Sequence, residues 1–378
     1  MRVTARGWAL VGAGPVLLLS GFLFGYPELA VLGVVALAAF VVALGIVSLR
    51  AALTVGRHLD PDRVTRGEPS TVHLTIRNDN RFRGMTVIAT DRCGPAGIPV
   101  PLLRLRRGHE TQTVYQVPTS RRGVVDVGPL RIVRTDPLGL AEVARSYGAT
   151  GRVWVHPVAH PIRAVPAGIA RSLDGRVDKV PHGHVTFDNL REYVVGDDLR
   201  SVHWRTSARV GELMVREHTD TSLPVMVVVL DDRADAHTPE SFEEACEAAA
   251  SIVIAALREG LHVRLRTVSG AEISGTQGRN VFLDLLAEAT LGAAEADLTP
   301  AADRLRIGRL GDTLIFLTGP GGVEDVRQVA ALRAQYPVIV VGLIGAPDAT
   351  PTAAPGLLVL AAADASEFTV AWDGVGRW

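Results

Sequence analysis

The chain is short of several things that would have pointed to a chemistry. Cysteine is nearly absent: Cys93 and Cys246 are the only two in 378 residues. They lie far apart in stretches of different character, which argues against a disulfide framework and a cysteine zinc site. An excess of either charge is missing, since Lys+Arg 39 against Asp+Glu 40 leaves a net charge of -1. That balance offers no electrostatic footprint for nucleic acid. Lysine is almost gone, Lys179 being the only one; arginine in its place, with abundant Ala, Val and Gly, reflects a GC-rich coding sequence and no mechanism. Neither Gly-x-x-x-x-Gly-Lys-Ser/Thr nor Gly-x-Gly-x-x-Gly occurs, and there is no Gly-x-Ser-x-Gly elbow.

What the chain does have begins with apolar length. Trp8 to Phe24 and Leu29 to Leu49 are free of basic residues, and each run is about long enough to span a hydrocarbon core. A cleaved signal peptide would explain only the first run. A buried helical pair in a soluble core is the alternative, but the absence of charge favours a transmembrane helical hairpin over residues 1–52, turning at Gly25-Tyr26-Pro27-Glu28. Arg2 and Arg6 precede the first run, and Arg50, Arg57 and Arg63 follow the second. The positive-inside bias then predicts both chain ends in the cytoplasm.

Residues 53–160 change character. Short alternating runs at Thr71–Arg77, Met85–Ala89, Thr111–Val117, Val124–Val127, Leu130–Arg134 and Arg152–Val155 are separated by turn residues. This predicts an all-β sandwich of immunoglobulin-like type with no site of its own. Residues 161–188 are rich in Gly, Pro, Asp and His without periodicity and read as a linker or ordered loop. From Pro224 strands alternate with helices: Val225–Leu230, a helix from Pro239 to Glu259 capped by Thr238, Leu261–Val268, Asn280–Ala289, Thr313–Leu317, a helix from Val323 to Gln335, and Val338–Leu343. That alternation predicts a doubly wound, Rossmann-type α/β domain within residues 189–378.

Between sandwich and α/β domain lies the densest stretch, Asn189 to His218. Arg191, Arg200, Arg205, Arg209 and Arg216 are balanced by Glu192, Asp197, Asp198, Glu212 and Glu217 around Tyr193 and Trp204. Gly196 reads as a turn and Asp197 as an N-cap. Leu199, Val202, His203, Thr206 and Val210 fall on one face of a short helix, Gly211 stops it, and a strand follows from Leu213. Two readings stay open: a clamp, with Arg200, Arg205 and Arg209 pairing Asp197, Asp198 and Glu192, and a partner surface built on Trp204, Tyr193 and arginines.

The order Arg191-Glu192-Tyr193, Gly196-Asp197-Asp198, Arg200-x-x-x-Trp204, Ser207-Ala208-Arg209-x-Gly211, then a strand ending Arg216-Glu217, resembles the signature of bacterial domain-of-unknown-function family fifty-eight. Asp136-Pro-Leu-Gly-Leu140 and Val153-Trp-Val-His-Pro157 resemble segments that sit in the preceding domain of that family. The resemblance implies a protein of the bacterial inner membrane with a von Willebrand factor A-like C-terminal half. It further implies a non-enzymatic adaptor whose partner is a MoxR-type AAA+ ATPase. The chain departs from the pattern at His203, where members often have Asp before the tryptophan.

Four further constellations carry possible chemistry. The von Willebrand factor A fold places Asp-x-Ser-x-Ser after its first strand to hold magnesium. Here Asp231-Asp232-Arg233-Ala234-Asp235 stands in that place, with Thr318 followed by Gly319 where an acid is expected. Asp231, Asp235 and Thr318 therefore form a degraded metal site, with Arg233 expected to pair Asp231 or Asp235 and no cofactor expected, Mg2+ being the weak alternative. Gly319-Pro320-Gly321-Gly322 reads as a tight turn before a phosphate loop. His156 with His160, and His182 with His184, lack an acid or cysteine at ligand spacing. Ser201, Ser207 and His203 near Asp197 and Asp198 would be needed for a hydrolase, the weakest reading.

Overall fold

The computed structural model describes residues 1–49, 52–79, 85–105, 108–166, 186–193, 202–220, 225–292, 298–307, 311–348 and 357–375. The chain divides into two compact units, Met1–Pro157 and Val158–Trp378.

The first unit runs β1 (Arg2–Val3), α1 (Ala5–Phe24), α2 (Pro27–Ser48), β2 (Leu53–Asp60), β3 (Arg63–Thr65), β4 (Thr71–Asn78), β5 (Met85–Cys93), β6 (Ala96–Leu105), β7 (Glu110–Gln116), β8 (Gly123–Thr135), β9 (Ala141–Tyr147) and β10 (Gly151–His156). α1 and α2 span 20 and 22 residues with mean hydropathies of 1.8 and 2.9, long and apolar enough to cross a membrane. Thr4 caps α1 through the Gly7 N–H, and Gly25 ends it in the left-handed conformation at φ 72. Gly33 lets the two helices approach closely, because a Cβ there would overlap the Gly14 carbonyl and the Leu18 backbone.

The strands form a β-sandwich. One sheet has the order β1-β9-β8-β10-β3, with β5 on β8 and β6 on β5; the other is β2-β4-β7. Leu74 and Ile76 of β4 pack against Ala89, Leu130 and Ile132 of the larger sheet, all buried. Alternation alone dictates this: Val72, Leu74 and Ile76 point inward while His73, Thr75 and Arg77 point out. The expected strands at Val124–Val127 and Leu130–Arg134 are one long strand, β8. β2, β6 and β9 were not foreseen; in β2 the alternation of Leu53, Val55 and Leu59 is interrupted by Arg57 on the same face.

The second unit runs β11 (Thr186–Glu192), α3 (Trp204–Val210), β12 (Met214–Asp220), β13 (Val225–Leu230), α4 (Pro239–Arg258), β14 (His262–Thr267), β15 (Glu272–Gly275), α5 (Arg279–Glu288), α6 (Leu298–Ile307), β16 (Thr313–Thr318), α7 (Val326–Ala330), β17 (Val338–Ile344), β18 (Leu357–Ala362) and α8 (Ala365–Asp373). Six strands form one sheet among the described residues, in the order β15-β14-β13-β16-β17-β18, with β15 antiparallel. Counted within the sheet, this is the doubly wound order 3-2-1-4-5-6. Met226, Val228 and Leu230 face a core with α4, α5 and α8. Val227 and Val229 face the opposite core with α6 and the segment around Val329 and Leu332. β13 is thus apolar on both sides, as a central parallel strand must be.

Two expectations are corrected here. The helix read from Val323 to Gln335 is a chain of short pieces, 3-10 turns at Pro320–Asp325 and Ala331–Ala334 flanking α7. The glycines at its start are held by the Gly321 N–H donating to the Ala236 carbonyl, which sets a tighter path than an α-helix. The linker over 161–188 is not wholly a linker. Ile162 and Val165 belong to the α/β core at 2% and 4% exposure, and Thr186–Glu192 is β11. Trp372 and Arg258 bond the carbonyls of Ala164 and Ile162, partners that lie too far along the chain for turn-rich local sequence to reveal.

Candidate functional site

β11 and β12 pair antiparallel from Thr186 with Asp220 to Glu192 with Met214, and α3 sits on this hairpin. Helix and hairpin are joined by the Tyr193 N–H to the Leu213 carbonyl at 2.8 Å and the His203 N–H to the Met214 carbonyl at 2.7 Å. The expected helix start at Asp197 is corrected to Trp204, since Val202 is held in a β-bridge and the cap falls at His203. The His203 Nδ1 accepts the Thr206 N–H at 3.1 Å, and the Thr206 hydroxyl lies 2.7 Å from the same nitrogen. This accounts for the departure at position 203: Asp is a preferred N-cap, and the imidazole nitrogen replaces its carboxylate as acceptor. Ser207 is buried, its hydroxyl donating to the His203 carbonyl at 3.2 Å and accepting the Met214 N–H at 2.8 Å. Gly211 closes the helix at φ 87, its N–H bonded to the Ser207 carbonyl.

The signature therefore splits into two sets. His203, Ser207 and Gly211 build the motif. Trp204, Arg205 and Arg209 are exposed, Trp204 at 64%, and among the described residues their side chains make none of the hydrogen bonds that build it. At 100° per residue, Trp204, Ala208, Arg205 and Arg209 occupy one arc of about 140°, away from Ser207. Val210 and Leu213 are exposed as well, at 57% and 41%, Val210 on the side of α3 opposite this arc. Among the described residues neither Arg205 nor Arg209 meets a carboxylate. Gly196, Asp197, Asp198, Arg200 and Ser201 lie outside the described residues, as do His182, His184 and Lys179. For Arg191 and Glu192 the description extends to the backbone in β11. Ser207 and His203 share no side-chain hydrogen bond, so the nucleophile and base of the hydrolase reading are not brought together.

The second candidate lies where the strand order reverses, between β13 and β16, the place where doubly wound sheets take ligands. It is filled from within. Arg233 is 6% exposed and grips Asp231 with Nε on Oδ1 at 2.9 Å and Nη2 on Oδ2 at 2.7 Å. The same Nη2 reaches Asp325, and the Thr318 hydroxyl donates to Asp231 Oδ2 at 2.7 Å. Hydrogen bonding to Asp231, then to Asp325, raises the guanidinium above its ordinary range. Asp325 is the residue that sequence reading missed. It lies 92 positions away, and no local spacing signals the pair. Asp235, the other acid expected near Arg233, is exposed. The oxygens that a hard cation would need are thus held by a fixed cation, and these residues do not fit a divalent ion while Arg233 stays in place.

The surrounding shell is close-packed. Asp232 Oδ1 accepts the Ser269 N–H at 2.9 Å, and the Gly292 N–H donates to the Asp232 carbonyl at 2.7 Å. A Cβ at Gly321 would overlap the Asp235 carbonyl, and one at Gly322 the Thr318 hydroxyl. The Gly319–Gly322 loop is thus shaped by close backbone approach. His237 is buried beside the cluster, its Nδ1 3.1 Å from the Ser241 hydroxyl and its Nε2 without a hydrogen-bond partner among the described residues. Burial pushes its pKa down to about 4. His160 pairs Glu247 at 3.3 Å, and His156 is buried elsewhere, in β10. Cys93 and Cys246 are both buried and are not joined in a disulfide.

Residues 189–336 match the family model described as Protein of unknown function DUF58. A curated relative, Uncharacterized protein YeaD of Bacillus subtilis (strain 168), is 23% identical over 224 residues, covering 56% of this chain and 55% of that protein. The chain therefore matches about half the length of that relative. Among solved structures, the CARDB domain of the PF1109 protein from Pyrococcus furiosus is similar to 28% of this chain over 93% of its own, at 14% identity and a TM-score of 0.23. The PKD domain of an M14-like peptidase from Thermoplasmatales archaeon SCGC AB-540-F20 covers 27% of this chain and 91% of its own, at 17% identity and a TM-score of 0.18. Scores this low bear on neither fold nor function. The signature lies within the residues that match this family model, so the resemblance read from the signature and the similarity to DUF58 rest on the same stretch.

Proposed function

We propose that this protein is a non-enzymatic adaptor, anchored in the bacterial inner membrane by α1 and α2 with both chain ends in the cytoplasm. Its immunoglobulin-like sandwich carries a von Willebrand factor A-like domain, which presents α3 to a MoxR-type AAA+ ATPase or to that enzyme's clients. The strand order 3-2-1-4-5-6 with an antiparallel third strand supports the von Willebrand factor A-like reading. The apolar length and exposure of the two helices support the anchor.

The observation that carries the proposal is the division of labour within the signature. Trp204, Arg205 and Arg209 are exposed together on a helix whose other signature residues hold it in shape. Trp and Arg are the side chains that concentrate binding energy in protein interfaces. A magnesium-dependent sensor at Asp231 is disfavoured by Arg233 in the cation's place, and a hydrolase by the hydrogen bonds that engage Ser207.

The test is recovery of the detergent-solubilised full-length protein from native membranes with ATP and magnesium, followed by mass spectrometry of what accompanies it. An AAA+ ATPase at near-stoichiometric amount is the expected result. Other membrane proteins, or none, would overturn the partner assignment.

A further inference from the structure

The turn between β8 and β9 has no role in the function above. Pro137 and Leu138 at its tip are exposed, Leu138 at 59%. Between this turn and α2 runs an open groove of about 470 Å³, walled by α2 from Val35 to Ile46 and by Asp136, Pro137 and Leu138. Asp136 is the one ionisable group on its walls, and it is not presented to the groove. It is 4% exposed, and its carboxylate accepts the N–H groups of Leu138 at 2.9 Å and of Leu140 and Ala141 at 2.6 Å each. Those bonds hold the turn in shape and engage the N–H donors of Leu138, Leu140 and Ala141.

The occupant must be apolar and narrow. From Val35 to Ile46 the groove follows α2 for roughly 16 Å, about half the thickness of a hydrocarbon core. It is continuous with the apolar surface of that helix. The near end of α2 carries cations: Arg134 donates to the Leu49 carbonyl at 2.9 Å, and Arg6, exposed, approaches Gly139 of the same turn. Guanidinium groups beside an apolar groove match a lipid phosphate above an acyl chain.

We propose that the Pro137-Leu138 turn is inserted in the bilayer and that the groove holds one acyl chain of an anionic bilayer phospholipid, with Arg6 and Arg134 at its headgroup. The proposal rests on α1 and α2 spanning the membrane. It would fix the sandwich against the bilayer through a second contact.

The test uses full-length protein carrying Leu138→Cys, labelled with an environment-sensitive fluorophore, in vesicles of phosphatidylcholine and phosphatidylglycerol. Cys93 and Cys246 are buried, so the parent provides the unlabelled control. Doxyl-labelled lipid and aqueous iodide serve as quenchers. Val16→Cys on α1 and His73→Cys on the outer face of β4 are the reference sites. The Leu138 label is expected to lose most of its intensity to doxyl lipid and little to iodide, as at Val16, with the reverse at His73. Quenching by iodide at Leu138, with Val16 still quenched by lipid, would place the turn in water and overturn the inference while leaving the anchor intact. Protection from both quenchers would mean that protein covers the groove, which also overturns it. A Val16 label untouched by lipid would overturn the anchor itself. Replacing Arg6 and Arg134 together by Gln is expected to abolish enrichment of phosphatidylglycerol among lipids retained on extraction; unchanged enrichment would remove the headgroup contact from the proposal.

Discussion

Arg233 and Arg205 lie in one unit, and their surroundings are opposite. Arg233 is buried, forked onto Asp231 and bonded to Asp325 at the reversal point of the sheet. Arg205 is exposed, and among the described residues it meets no carboxylate. The first location is where a doubly wound sheet normally takes a ligand, yet it is filled by the chain's own cation. The second is a seven-residue helix on a hairpin, outside the sheet. The contrast shows that this domain has kept the architecture of a ligand-binding sheet while closing its usual site. Residues suited to recognition are displayed elsewhere.

The comparison is most directly broken at Arg233. Arg233→Ala leaves Asp231 buried with its cation removed, and a loss of about 3–5 kcal/mol in unfolding free energy is expected, measured by denaturant titration. If the guanidinium stands in a cation's place, millimolar magnesium should restore part of that loss in the variant and none in the parent. No magnesium effect on the variant would show that the geometry is unrelated to a metal site.

Acid should open the same region. His237 is neutral in the fold with a pKa near 4, whereas the unfolded chain binds the proton at the ordinary value of 6.5. A depressed folded value means that its contribution is fully present above pH 6.5 and is lost as the pH falls towards 4. The loss amounts to about 3 kcal/mol. Thermal unfolding across that range should show it, and His237→Asn should flatten the dependence.

At the exposed site the expected effects on folding shrink. His203→Ala removes the N-cap of α3 and should cost about 1 kcal/mol, while His203→Asp should retain the cap. Amide exchange in α3 would report both. Trp204→Ala and Arg205→Ala should change stability by less than about 0.5 kcal/mol. A large destabilisation by either would mean that these side chains hold the fold together and would erase the contrast with Arg233.

Much of this was legible in the sequence, for identifiable reasons. The apolar runs fixed α1 and α2 to within a few residues, because length and absence of charge need no tertiary context. β13 and α4 were equally clear, the one from its unbroken Val run and the other from Thr238 followed by Pro239. The Arg233–Asp231 pair could be anticipated because the two lie only two positions apart. Asp325 could not, since only folding brings it to Arg233. The cap at His203 was hidden because histidine is an unusual N-cap, although the family's aspartate at that position was the available clue. Ile162 and Val165 were hidden by their turn-rich neighbours, their partners on α4 and α8 lying far along the chain.

The central claim is that Trp204 and Arg205 bind a partner without supporting the fold. It is tested most directly by titrating the purified full-length parent, Trp204→Ala and Arg205→Ala against the protein that co-purifies most abundantly with the parent. The account predicts that each substitution weakens binding by about 2 kcal/mol or more, some thirtyfold in Kd, with unfolding transitions unchanged. Equal affinity in all three proteins, with clear binding by the parent, would contradict it.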